Sequence, residues 1–111
     1  MPPPFQSVIV DIAKLRDYSL STSHPRGRAK ARVFRSTLGI TSDDADWLRD
    51  RLIDAVATRT REMRPTNADP HGQRFVLDFP ITTAAGTAIV RSAWLCPPGR
   101  CVLRLITCYV L

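Results

Sequence analysis

Gln73-Arg-Phe-Val-Leu-Asp-Phe-Pro-Ile81 places an apolar residue at every second position: Phe75, Leu77, Phe79 and Ile81, with Arg74, Val76 and Asp78 between them. A period of two marks a half-buried strand. Everything downstream keeps that character. Thr82 to Gly86 reads as a hairpin loop, Thr87 to Leu95 as a second strand, Pro97 to Arg100 as a turn, and Val102 to Leu111 as a last strand, apolar on both faces.

Upstream of Gly72 the period changes to that of a helix. Pro25 suits a first helical position and Gly39 a helix end, which predicts a helix over 25–38. At about 100° per residue, Ala31, Phe34 and Leu38 form one apolar stripe, while Arg28, Arg32 and Arg35 share the opposite side. Lys30 belongs to neither group. It projects beside Val33 and Phe34, on the flank of the apolar arc.

A second helix is predicted over 41–62. Thr41 is its N-cap and Asp43 and Asp44 complement its positive end. Ala45, Leu48, Leu52, Ala55 and Val56 keep the helical period with Trp47 at its edge, and Pro65 stops it. Thr66 to Gly72 reads as a polar loop. At the N-terminus, Ser7-Val-Ile-Val10 reads as a short strand, and Asp11 caps one or two turns over Ile12 to Tyr18. The expected fold is α+β: two helices on one face of an antiparallel sheet of three to four strands, built from 73–81, 87–96 and 102–111, with the Val8 strand as the fourth. Residues 1–4, including Pro2, Pro3 and Pro4, read as a flexible leader to a single domain over 5–111.

The chain has 111 residues, 44% hydrophobic and 23% charged, which fits one globular domain and excludes wholesale disorder. No apolar run approaches the roughly 20 residues of a membrane span, and no signal-peptide pattern opens the chain; the expectation is a cytoplasmic protein with no membrane partner. Cys96, Cys101 and Cys108 show no paired metal-ligand spacing, so no metal and no cofactor are called for. Cys96 and Cys101 flank a Pro-Pro-Gly-Arg turn and could approach each other.

Net charge is +6, concentrated in residues 1–36, which hold seven basic and two acidic side chains. From His24 to Arg35 there are five basic residues and no acid. Such a block suits a phosphate backbone or an acidic partner protein, and equally a solvated helix face. Within it, His24-Pro-Arg-Gly-Arg-Ala-Lys30 gathers a histidine, a glycine and cations at a helix start, where free backbone N–H groups favour anions. The same residues suit a helix cap with no ligand. In the sheet, Asp78 could pair with Lys30, Arg74 or Arg91. Arg91 and Ser92 interrupt the second strand on opposite faces, and Thr107 interrupts Leu103, Leu105, Tyr109 and Leu111 on one face of the last. No nucleotide-binding, nucleophile-elbow or metalloprotease motif occurs.

Lys14-Leu-Arg-Asp-Tyr18, His24-Pro-Arg-Gly-Arg-Ala-Lys30-Ala-Arg-Val-Phe34 and Leu38-Gly39 resemble the core of a small bacterial domain of unknown function, in which HPxGxxKAxxFxxxLG is the central motif. The resemblance continues in Gly72–Pro80, Val90–Trp94 and Arg104–Val110, and so spans about residues 12 to 111. Ala29 departs from the family's usual polar or cationic residue. The resemblance implies a domain found alone and at the C-terminal tips of polymorphic toxins. More distantly, the helix–helix–sheet order is similar to barnase/EndoU/RelE-like (BECR) toxin ribonucleases.

On that footing two functions stand. One is metal-independent RNA cleavage, with His24 as acid or base, Lys30 and Arg91 as charge stabilisers and Thr107 as an orienting hydroxyl. The other is a non-catalytic basic module whose Arg26, Arg28, Arg32 and Arg35 dock nucleic acid or an acidic antitoxin or immunity protein. What discriminates them is whether Lys30, Arg91 and Thr107 converge or scatter.

Overall fold

A computed structural model describes residues 5–100 and 102–111. The predicted leader 1–4, and Cys101 with its suggested approach to Cys96, lie outside the described residues. β1 (Ser7–Ile9) leads into one α-helical turn, α1 (Ile12–Lys14), which widens into a π-turn over Leu15–Ser19. Asp11 caps α1 by accepting the Ala13 N–H at 2.9 Å. After a polar connector come α2 (Arg28–Leu38) and α3 (Ala45–Arg59), the latter flanked by 3-10 turns at Ser42–Asp44 and Thr60–Glu62. The chain then runs through β2 (Arg64–Asp69), β3 (Gly72–Thr83), β4 (Gly86–Cys96) and β5 (Val102–Val110).

Local chemistry explains the helix limits. Gly39 takes a left-handed φ of 67°, open to glycine at little cost, and its N–H donates to the Arg35 carbonyl to end α2. The Asp44 carboxylate reaches back to the Thr41 N–H at 2.9 Å, half of a capping box that starts the next helical stretch. Thr41 and Asp44 therefore act as the sequence implies.

The sheet has the order β1-β5-β4-β3-β2. β2, β3, β4 and β5 are joined antiparallel, whereas β1 pairs parallel with β5 through Ser7↔Val102, Val8↔Leu103 and Ile9↔Arg104. The α+β class holds, with the short turns after Asp11 where they were expected, but the sheet is mixed and five-stranded, not antiparallel with three to four strands. β2 replaces part of the expected polar loop. Arg64 to Ala68 are all exposed, so no hydrophobic alternation announces the strand; it forms by hydrogen bonding to β3 at the sheet edge. Pro65 and a register shift before Ala68 blunt that edge.

All the helices lie on one face. Phe34 and Leu38 of α2, Leu48, Leu52 and Val56 of α3, and Leu15 of the π-turn are buried in one cluster with Leu77, Phe79, Trp94, Leu103, Leu105 and Cys108. Each such side chain contributes roughly 1.5–3 kcal/mol. The single buried hydroxyl inside β4 is satisfied: Ser92 Oγ donates to the Leu77 carbonyl and accepts from Trp94 Nε1, both at 2.8 Å.

β5 carries one irregularity that decides the site. Ala93 pairs with Thr107 and Trp94 with Leu105, leaving Ile106 as an extra residue. The bulge changes the pleat's phase. Leu103 and Leu105 face the helices, as do Cys108 and Val110 beyond the bulge, while Thr107 and Tyr109 turn to the opposite, helix-free face. The expectation that Thr107 and Tyr109 share a face with Leu103 and Leu105 is therefore corrected.

Candidate functional site on the open sheet face

The helix-free face is read from the cross-strand pairs. Asp78, Arg91 and Tyr109 form one row across β3, β4 and β5, and Val76, Ala93 and Thr107 form the next. Arg64 of β2 sits opposite Val76. Aligned strands thus bring together residues distant in sequence.

Asp78 is the hub of this face. Arg91 grips it with a two-pronged fork, Nε to Oδ1 and Nη2 to Oδ2, both at 2.8 Å, and Arg64 adds a third contact at 3.1 Å. The Arg91 hydrogen bond, against a smaller opposing effect of burial, holds the Asp78 carboxyl below its ordinary pKa. Arg91 in turn keeps its proton more firmly, mainly through Asp78, with a smaller contribution from the Tyr109 phenol. Of the three partners open to Asp78 in the sequence, Arg91 is the one observed. Arg74 pairs instead with Asp69.

Lys30 does not meet Asp78. Its ammonium lies over the ring of Tyr109, 4.8 Å from the centroid, a cation–π contact. Asp78 is already held by two guanidinium groups, and a lysine from α2 reaches the sheet at β5, two strands away. The charge of Lys30 also acts on Cys108, whose thiol burial pushes up to about 12. Lys30 therefore stands at the margin of β5, between Cys108 on the core face and Tyr109 on the open face. β1 pairs with β5 only as far as Arg104, which leaves this stretch of margin accessible to α2.

Thr107 lies two residues from Tyr109 beside the small Ala93, and its Oγ1 is shielded from solvent without a hydrogen-bond partner among the described residues. Such an orphan hydroxyl is uncommon in a folded protein. Lys30, Arg91 and Thr107 are thus each neighbours of Tyr109, over its ring, across the strand and two residues away.

His24 does not lie in that row. Its Nδ1 accepts the N–H groups of Arg26 and Gly27 at 3.1 and 3.2 Å, and its ring packs edge-on against Tyr18, with centroids 4.7 Å apart. His24 thus closes the turn that leads into α2, whose N-cap, Gly27, carries no side-chain cap bond, and the ring keeps its Nε2–H to donate. Gly27 completes the junction: a Cβ there would fall 2.1 Å from the Tyr18 carbonyl oxygen. Arg26, Arg28, Arg32 and Arg35 are all exposed and, among the described residues, form no ion pair.

Sequence reading missed Tyr109, Arg64 and Arg104, an exposed arginine opposite Leu95 on the same face. For Tyr109 a signal existed: polar groups at positions 107 and 109, in step with Leu103 and Leu105 and so at odds with a uniformly buried face. Two clefts lie elsewhere, beside Trp47 on the helix side. One of about 260 Å³ runs between α3 and β3, and one of about 410 Å³ meets the β3–β4 hairpin. Neither touches the Asp78–Arg91–Tyr109 row. Among the described residues no group of three His, Cys, Asp or Glu is placed to hold a metal ion, and no helix is long and apolar enough to cross a membrane.

Over residues 2–111 the chain matches the family model described as "Domain of unknown function (DUF6883)". No curated protein matches it. Among solved structures, a chain of the "Contact-dependent growth inhibition toxin - immunity protein complex from Klebsiella pneumoniae 342" superposes with a TM-score of 0.68 over 93% of this chain and 99% of that chain, at 14% identity. At that identity the two share a fold.

Proposed function

This chain belongs to the family described as Domain of unknown function (DUF6883), and we propose that it is a toxin-type ribonuclease domain that cleaves RNA without a metal and is neutralised by a partner protein. The placement of Lys30, Arg91 and Thr107 beside Tyr109 carries this reading. Three residue types on three elements border one ring: Lys30 lies over it, Arg91 sits across the strand from it and Thr107 stands two residues before it on the same face. RNA cleavage by the neighbouring 2′-hydroxyl builds negative charge on a phosphorane, and preorganised cations stabilise it. Arg91 is preorganised by its fork onto Asp78 and Lys30 by the ring of Tyr109. Thr107 would orient the reacting phosphate or hydroxyl. His24, engaged through Nδ1, fixes the start of α2 and offers Nε2–H as a donor.

The shared fold with a chain of a toxin–immunity complex is consistent with a toxin or an immunity role and with a protein partner. The exposed arginines of α2 favour a second reading, a non-catalytic module docking an acidic protein or nucleic acid. A cleavage assay on single-stranded RNA in the presence of EDTA separates the two. The ribonuclease reading expects cleavage with 2′,3′-cyclic phosphate and 5′-hydroxyl ends, and growth arrest when the chain is expressed in a sensitive bacterium. Intact RNA together with normal growth would leave the docking module.

A further inference from the structure

We infer that the Tyr109 phenol is the general acid of this site, donating its proton to the 5′ oxygen that leaves when RNA is cleaved. The inference rests on the ribonuclease reading and names a role that reading leaves unfilled. Cleavage forms a bond from the 2′ oxygen to phosphorus and breaks the bond from phosphorus to the 5′ oxygen. The proton of the 2′-hydroxyl goes to a solvent hydroxide, and the departing 5′ oxygen needs a proton of its own.

Few groups on the open face can supply that proton. Asp78 is held as a carboxylate by Arg91 and Arg64. Arg91 is bound to its proton by that same pair, and His24 lies outside the row. A phenol carries a transferable proton at neutral pH. Tyr109 also has what an acid needs once it has given the proton up. The guanidinium of Arg91, directly across the strand, and the Lys30 ammonium 4.8 Å from the ring centroid both stabilise a phenolate. Their positions are fixed beforehand, Arg91 by its two 2.8 Å bonds to Asp78, so no reorganisation is needed as charge develops. The phenolate then recovers a proton from water and returns the hydroxide consumed at the 2′ oxygen.

Tyr109→Phe tests this directly, because it keeps the ring and the cation–π contact and removes only the hydroxyl. On ordinary RNA, kcat should fall about 10²–10⁴-fold with KM little changed. On an RNA with sulfur in place of the bridging 5′ oxygen, the leaving thiolate needs no proton, and variant and wild type should run at similar rates. The ratio of the two substrate rates within one variant stays readable even if its melting temperature shifts. Tyr109→Phe cleaving ordinary RNA as fast as wild type, or slowed equally on both substrates, would overturn the inference while leaving the ribonuclease reading in place. Failure of the wild-type chain to cleave either RNA would overturn both.

Discussion

The outer face of α2 presents Arg28, Arg32 and Arg35 to solvent with no ion pair among the described residues, while on the open sheet face Arg91 and Arg64 are held by Asp78 and Arg74 by Asp69. Both regions are basic, but they are built for different tasks. Free guanidinium groups attract anions over a screened distance of about 8–10 Å and must lose side-chain freedom to grip one. Held groups have already lost it. The helix face is therefore suited to steering and docking, and the sheet face to acting on what arrives. Counting cations along the sequence finds the first region. Only the strand register finds the second.

The largest expected effect belongs to the sheet side of this contrast. Lys30→Ala should lower RNA cleavage by about 10²–10³-fold, the usual loss when one preorganised donor is removed. Its melting temperature should drop only a few degrees, since the cation–π contact is worth roughly 0.5–1 kcal/mol. Full activity in the folded variant, measured by cleavage beside a thermal melt, would erase the distinction between the two faces.

Next in size is the helix face. Replacing Arg28, Arg32 and Arg35 by glutamine should weaken binding of single-stranded RNA at low ionic strength. If all three meet phosphates, the slope of log affinity against log salt should fall by about 2. Stability should stay within about 0.5 kcal/mol, as for other surface changes. An unchanged slope in a salt titration would make the stripe a solvated face only.

The smallest effect concerns Asp78 itself. Its folded pKa is depressed, so the stability it adds is present above its unfolded value of about 3.9 and is lost as pH falls through the lower folded value. For a partly exposed pair the contribution is about 1 kcal/mol or less. Acid titrations of wild type and Asp78→Asn should therefore differ in slope below about pH 4 and run parallel above it. A stability difference that persists unchanged into acid, below about pH 2, would mean that Asp78 matters through something other than its charge.

How much of this was legible in the sequence follows from what each element buries. α2, α3, β3 and β4 each hide one face, so Ala31, Phe34 and Leu38, or Leu77, Phe79 and Ile81, repeat at the period of the element. β2 hides almost nothing and left no such trace. Arg64 consequently fell between the predicted helix over 41–62 and the predicted loop from Thr66, although it sits at the edge of the candidate site. Lys30 was legible as misplaced because it breaks the pattern of its helix, but its partner was not. The three-residue parallel pairing of β1, and the phase of β5, depend on contacts between distant segments. The Lys30–Tyr109 contact depends on both α2 packing and the bulge.

The extra residue in β5 keeps the two flanks of that strand on their present faces. Ile106 is 37% exposed, so many residues could replace it at little cost. Trp94 pairs with Leu105 and Ala93 with Thr107, so the bulge absorbs Ile106 outside the alternation. Without Ile106, Leu105 and Thr107 would be direct neighbours on opposite faces, each still with its present partner. Flattening the bulge with Ile106 in place is the damaging change. Pairing would then run unbroken through Ile106, and either Thr107 and Tyr109 would turn into the core or Leu103 and Leu105 would turn out to solvent.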